Sequence, residues 1–186
     1  MTLRLGQLNT QGLASTFQSF QQSLLRLQLD IVLLSELKTS SFYSLSSLSQ
    51  LPLLPGYTLH YESARCGFIY RDNLGCRPLN LNLDSATGTN NSSQHVHATG
   101  LLVPNYSAGS PLLLLSIYRP PTAPLDALDE FFNSINPVLS QYNYILIGGD
   151  FNCHHQDWGD VRTCRVGRFF SDFIELYLFF FSKTAI

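Results

Sequence analysis

The sequence predicts an α+β domain in which two packed β-sheets are flanked by helices. Two observations lead there. Apolar runs of strand length are numerous and often paired locally, as in Gly56-Tyr-Thr-Leu-His-Tyr61 followed by Gly67-Phe-Ile-Tyr70. Helical periodicity is confined to a few stretches that interrupt the strands instead of following each one. A doubly wound parallel sheet needs regular alternation, so packed sheets with interspersed helices are expected instead.

The elements follow in order. Leu3 to Leu8 alternates apolar and polar residues, the pattern of a half-buried strand. Thr10 to Gly12 turns the chain and Ser15 is placed to cap a helix, in which Phe17, Phe20, Leu24, Leu25 and Leu27 recur at helical spacing up to Leu29. Asp30 to Ser35 is an apolar, partly β-branched run expected to be a buried strand. Residues 37–55 are Ser-rich with Pro52 and Pro55 and read as loop with room for one helical turn. After the paired strands at 56–61 and 67–70, a further strand is expected near Cys76 to Leu81, then an exposed loop over 84–93. His95 to Val103 and Leu112 to Tyr118 are two more strands. Pro120, Pro121 and Pro124 break the chain before a helix over Leu125 to Leu139, whose apolar face is Leu128, Phe131, Phe132 and Ile135. Tyr144 to Gly148 is a buried strand, 153–166 a polar loop, and Phe169, Phe170, Phe173, Ile174 and Leu176 mark a last helix. There is no internal repeat and no clean linker, so residues 1–186 are expected to form one domain.

A chain of 186 residues with 45% hydrophobic content can bury a genuine core and is not a disordered tail. Charged residues are only 13% of it, against roughly a quarter in ordinary soluble domains. The net charge of -2 gives no global basic field, so nucleic-acid binding would need a local cleft or a metal ion. Nine of the eleven basic residues are Arg, the type suited to bidentate phosphate contacts, although compositional drift gives the same count. Cys66, Cys76, Cys153 and Cys164 show no CxxC spacing, which points to a reducing compartment and no disulfide framework. The N-terminus lacks the pattern of a signal peptide, and the apolar stretch from Phe173 to Phe181 is about half a membrane span and contains Glu175. Asn90, Asn91 and Asn105 fit a glycosylation pattern that is common by chance. The expectation is an intracellular protein, nuclear or cytoplasmic, with no membrane association.

Candidate chemistry lies where strands end. Asn9 follows Leu8, Glu36 follows Ser35, and Asp150 and Asn152 follow Ile147. Strand ends converge at a sheet edge, so these groups can meet although far apart in sequence. Two carboxylates are hard oxygen ligands of the kind Mg²⁺ prefers, and the Asn amides can orient them or donate to phosphate oxygens. Such an array stabilises charge on a phosphoryl group and activates water. Each residue alone is better read as an ordinary turn former after a strand, and it is the joint pattern that points to a site.

Taken together, Leu8-Asn-Thr-Gln-Gly12, Asp30-Ile-Val-Leu-Leu-Ser-Glu36, Ser116-Ile-Tyr-Arg-Pro-Pro121 and Gly148-Gly-Asp-Phe-Asn152 resemble successive motifs of the endonuclease/exonuclease/phosphatase family. Pro120-Pro121, and His154, His155, Trp158 and Gly159 after the last motif, are especially similar to the apurinic-type endonuclease domain of non-LTR (LINE-type) retrotransposons. The resemblance implies a four-layer α+β sandwich of two mixed sheets flanked by helices. It implies Glu36 and Asn9 at an Mg²⁺ site, Tyr118 at the scissile phosphate, Asp150 on the attacking water and Asn152 on the phosphate in the transition state. It further implies DNA as substrate, nicked to prime reverse transcription, and an original fusion to a reverse transcriptase; a monomer is expected. Competing expectations are a phosphatase of inositol or lipid phosphates, since that core serves both, and a catalytically dead fragment acting as a binding module.

Three points qualify the resemblance. His154 and His155, with Cys153 and Asp157, do not have the usual structural-zinc spacing, which leaves loop packing with Trp158 or DNA contact. Arg119 is a candidate DNA-phosphate contact or a solvated strand-end residue. The family's terminal Ser-Asp-His segment has no counterpart: Ser171-Asp172-Phe173 begins like it but lies in a helical pattern. The expectation is therefore a C-terminally truncated domain with its last strands missing and its rate lowered by about 10²–10⁴-fold.

Overall fold

The computed structural model describes residues 2–37, 52–81 and 95–176, with side chains to residue 172. The loop expected at 84–93, most of that at 37–55, and the side chains of Phe173, Ile174 and Leu176 lie outside these residues. The described chain runs β1 (Leu5–Asn9), α1 (Leu13–Leu27), β2 (Ile31–Ser35), β3 (Tyr57–Tyr61), β4 (Cys66–Arg71), β5 (Arg77–Leu79), β6 (His97–Ser107), β7 (Ser110–Tyr118), α2 (Leu125–Leu139), β8 (Tyr144–Asp150) and α3 (Arg165–Leu176). Short 3₁₀ turns occupy Asp72–Leu74 and Gln156–Trp158.

The strands form two four-stranded mixed sheets, ordered β1-β2-β4-β3 and β5-β6-β7-β8. Each sheet holds one parallel pair, β1 with β2 and β7 with β8, bridged by a crossover helix, and is otherwise antiparallel. The expected α+β sandwich of two mixed sheets is the observed architecture.

Side-chain alternation explains the layering. In β2, Ile31 and Leu33 pack in a core shared with Phe68, Leu101, Leu112 and Leu114, between the sheets. Val32 and Leu34 point the other way, onto Leu13, Phe17, Phe20 and Leu24 of α1. In β7, Leu113, Leu115 and Ile117 face a third core with Leu128, Phe131, Phe132 and Ile135 of α2 and Phe170 of α3. A strand covered on both faces has no polar side, which is why these runs lack period-two alternation. Each fully buried Leu, Ile or Phe contributes about 1.5–3 kcal/mol.

Two local expectations are corrected. Ser15 does not cap α1: the helix starts at Leu13 after Gly12, which has φ 98°, and the Ser15 hydroxyl donates back to the Gly12 carbonyl at 2.8 Å. The N–H groups of Gly12 and Leu13 are satisfied instead by the carbonyls of Glu36 and Leu37, at 2.9 and 3.0 Å. Strand β6 also runs past Val103 to Ser107, through an irregularity in register, and turns into β7 over Ala108 and Gly109. Both turn residues have positive φ, the two-residue hairpin geometry that matches sheet twist. Among the described residues, no helix is long and apolar enough to cross a membrane.

Candidate active site

The parallel pairs bring the candidate residues together. In β1 and β2, Asn9 lies opposite Ser35, and Glu36 is the next residue. In β7 and β8, Tyr118 lies opposite Asp150. Polar bonds between the sheets join the two pairs: Gln7 Nε2 donates to the Gly149 carbonyl at 2.5 Å, and the buried Ser116 hydroxyl donates to the Leu34 carbonyl at 3.0 Å. Glycine permits this approach. A Cβ at Gly148 would lie 2.8 Å from Leu33 Cδ2 of the other sheet, and within the sheet one at Gly149 would lie 1.8 Å from the Ile117 carbonyl oxygen of β7.

Asp150 is held by two amides. Asn9 Nδ2 donates to Asp150 Oδ2 at 2.8 Å, while Asn9 Oδ1 accepts from the Gln11 N–H at 3.1 Å, which fixes the amide orientation. Asp150 Oδ1 accepts from the Asn152 N–H at 3.1 Å, an Asx-type turn that places Asn152 at φ 47°. Asn152 Nδ2 donates to the Arg119 carbonyl at 2.8 Å.

Glu36 also has positive φ, 52°, an uncommon conformation for a non-glycine residue. Its backbone is fixed from both sides: its N–H donates to the Arg65 carbonyl at 2.7 Å, and its carbonyl accepts from Gly12 N–H at 2.9 Å and Thr10 Oγ1 at 2.7 Å. Tyr118 lies between the two halves. Burial pushes its phenol above the ordinary tyrosine range, the Glu36 and Asp150 carboxylates push it further, and Arg65 opposes them. The Arg65 guanidinium stands 5.6 Å from the centre of the Tyr118 ring.

The Tyr118 phenol is thus a neutral hydrogen-bond donor across the working pH range. Because its folded-state pKa is raised, the folded protein holds the proton longer than the unfolded chain, and stability falls as pH rises above about 10. A spectrophotometric tyrosine titration of protein in EDTA should show ionisations lagging those of free tyrosine, one of them lost in Tyr118→Phe. A Tyr118 titration midpoint at or below that of free tyrosine would contradict this placement.

Two candidates do not join the cluster. Arg119 is only 4% exposed, and its guanidinium donates to the carbonyls of Phe151 (3.5 Å) and Ala123. It ties the segment after Tyr118 to the segment after Asp150 and presents no surface cation. His154 is exposed, with Nδ1 3.4 Å from Asp160 Oδ1. His155 packs 5.2 Å from the Trp158 ring and accepts the Asp157 N–H through Nδ1 at 3.2 Å. Ser171 and Asp172 lie within α3.

A family model described as "Endonuclease-reverse transcriptase" matches residues 112–181. The endonuclease domain of TRAS1, a telomere-specific non-LTR retrotransposon, superposes with a TM-score of 0.63 at 15% identity, over 91% of this chain and 70% of that one. An endonuclease/exonuclease/phosphatase family protein from Bacteroides thetaiotaomicron superposes at 0.58, with 12% identity over 90% of this chain and 66% of its own. The chain shares the fold of these two structures, and the matched segment runs from β7 through α3. The Neisseria 3′ phosphatase NExo, bound to a product DNA hairpin, shares the fold at 0.56, with 13% identity over 94% of this chain and 71% of its own. No curated protein matches the sequence.

Within this fold, Gln7 and Arg65 contribute although the sequence did not single them out, and Thr10 does more than the turn expected of it. Gln7 continues the inward face of Leu3 and Leu5, and a polar residue on that face was the available signal. Thr10, read from the sequence as a turn residue, is buried with its hydroxyl on the Ser35 and Glu36 carbonyls. Arg65 precedes a strand like any turn residue and becomes notable only through its place beside Tyr118.

Proposed function

We propose that this domain hydrolyses phosphodiester bonds of DNA with the help of a divalent cation, as an endonuclease that nicks DNA to prime reverse transcription. The observation that carries the reading is the convergence of Asn9, Glu36, Tyr118, Asp150 and Asn152 at the ends of four strands drawn from both sheets. The description of the matched family model and the TRAS1 endonuclease fold support the retroelement context. The DNA hairpin bound by NExo supports DNA as the substrate class.

The donor set suits Mg²⁺. Glu36 and Asp150 supply carboxylates beside one phenol, and Asn9 adds an amide next to Asp150. Among the described residues, no group of three or more His, Cys, Asp or Glu side chains forms a metal cage. Mg²⁺ normally takes one or two carboxylates and fills its shell with water and substrate oxygens, so a two-carboxylate site fits it. Glu36 would be its principal ligand, with Asn9 beside it, and when bound the cation would offset charge building on the phosphoryl group.

The remaining chemistry falls to the protein. Asp150 keeps lone pairs free beyond its two amide partners and can take a proton from an attacking water, whose oxygen bonds to phosphorus as the ester P–O bond breaks and the leaving oxygen takes a proton from solvent. The neutral Tyr118 phenol can donate to a phosphate oxygen. The second Nδ2 hydrogen of Asn152 is left for another, the first being held by the Arg119 carbonyl.

Conversion of supercoiled plasmid to the nicked form in Mg²⁺ tests the reading. The protein should nick, EDTA should stop it, and Glu36→Ala should slow it by about 10²-fold or more. Release of phosphate from inositol phosphates without any nicking would replace this function with the phosphatase alternative.

A further inference from the structure

We propose that Arg65 is a phosphate-binding residue of this site, its guanidinium held on the Tyr118 ring to receive a non-bridging oxygen of the DNA backbone. The inference rests on the hydrolase reading of the same cleft. Arg65 lies between β3 and β4, where its N–H donates to Ser63 Oγ at 3.2 Å and its carbonyl accepts the Glu36 N–H at 2.7 Å. Its main chain is therefore fixed to the residue that carries one of the two carboxylates. Its guanidinium carbon, 5.6 Å from the Tyr118 ring centre, is within cation–π range.

Among the described residues the guanidinium has no ion-pair partner: the pairs formed there are Arg71 with Asp30, His154 with Asp160 and His155 with Asp157. A guanidinium over a ring face meets no hydrogen-bond acceptor in the ring plane, so its N–H groups remain available to a phosphate. The cluster also needs a cation there. Glu36 and Asp150 both act on the Tyr118 phenol with negative charge, and Arg65 is the cation that opposes them. A phosphodiester entering beside two carboxylates adds a third negative charge. A divalent ion, when bound, would offset the carboxylates, while Arg119, buried and bonded to backbone carbonyls, is not available to the phosphate.

The test is fluorescence anisotropy of a labelled DNA duplex in Ca²⁺ over a salt series, run beside plasmid nicking in Mg²⁺. Arg65→Ala is expected to weaken duplex binding about tenfold, raising KM more than it lowers kcat. The slope of log affinity against log salt should drop by about one, which loss of packing alone does not produce. Arg65→Lys should restore the slope and part of the affinity. Arg65→Gln keeps the stem and replaces Arg65→Ala if that variant melts early. Unchanged affinity and slope in a folded charge-removing variant, with nicking intact, overturn the role of Arg65 and leave the hydrolase reading standing. An Arg65-dependent slope in a protein that does not nick supports the phosphate contact and overturns the hydrolase reading. A protein that neither binds nor nicks overturns both.

Discussion

Asp150→Asn is expected to reduce the single-turnover nicking rate by about 10²–10⁴-fold while leaving the fold in place. The wild-type carboxylate accepts from Asn9 Nδ2 through one oxygen and from the Asn152 N–H through the other. An amide offers one acceptor, so its NH₂ must face a donor on one side. Asn9 cannot turn to compensate without releasing the Gln11 N–H from its own oxygen. The structural cost is about 1–3 kcal/mol, one unsatisfied donor. Loss of the proton acceptor is the larger effect on rate. Thermal denaturation read beside the rate separates the two, and a folded variant within tenfold of wild type would remove Asp150 from the chemistry.

Gly149→Ala is expected to be the most damaging small substitution for the fold. The new methyl would sit 1.8 Å from the Ile117 carbonyl oxygen and 2.7 Å from the Ile117 nitrogen, and Gly149 has φ 149°. These are main-chain atoms of the neighbouring parallel strand, so no rotamer change relieves the clash. Separating β7 from β8 there would pull Asp150 away from Tyr118 and break the Gln7 bond between the sheets. A loss above about 4 kcal/mol, or failure to accumulate folded protein, is expected. Gly109→Ala is the control: its φ is 78°, but nothing lies within 4 Å of its added Cβ, and strain alone costs about 1 kcal/mol. Equal unfolding midpoints for the two variants would contradict the close approach assigned to Gly149.

The parts of the fold legible in the sequence are those set by local periodicity. Helix α2 has the expected bounds because a Pro-rich break precedes it and Leu128, Phe131, Phe132 and Ile135 repeat on one face. Strand β2 is visible as a short buried apolar run, and β8 lies where its apolar run predicts but is buried only at Ile147 and Gly148, with Tyr144 exposed. Features decided by distant partners were not legible. The start of α1 depends on the Glu36 and Leu37 carbonyls, so the local Ser15 signal was the wrong one. The run of β6 to Ser107 depends on pairing across a two-residue turn that contains Ala108, where Gly or Asn is the usual signal.

The candidate site divides in the same way. Asn9, Glu36, Asp150 and Asn152 were visible as polar residues at strand ends, and parallel pairing brings strand ends together. Tyr118 stood out only through its place in the series of motifs. Arg119 follows it at a strand end, where an outward side chain was a fair expectation, but the following Pro-Pro segment folds back and the Ala123 carbonyl captures the guanidinium. The site cation is instead Arg65, supplied by the other sheet.

The most direct test of the central claim is a crystal structure with Mn²⁺ and a DNA duplex carrying a non-hydrolysable phosphorothioate link. An anomalous peak is expected at the Glu36 carboxylate, with the substituted phosphate beside Tyr118, Asp150 and Asn152. Mn²⁺ bound elsewhere, with the duplex lying away from the ends of β1, β2, β7 and β8, would contradict it.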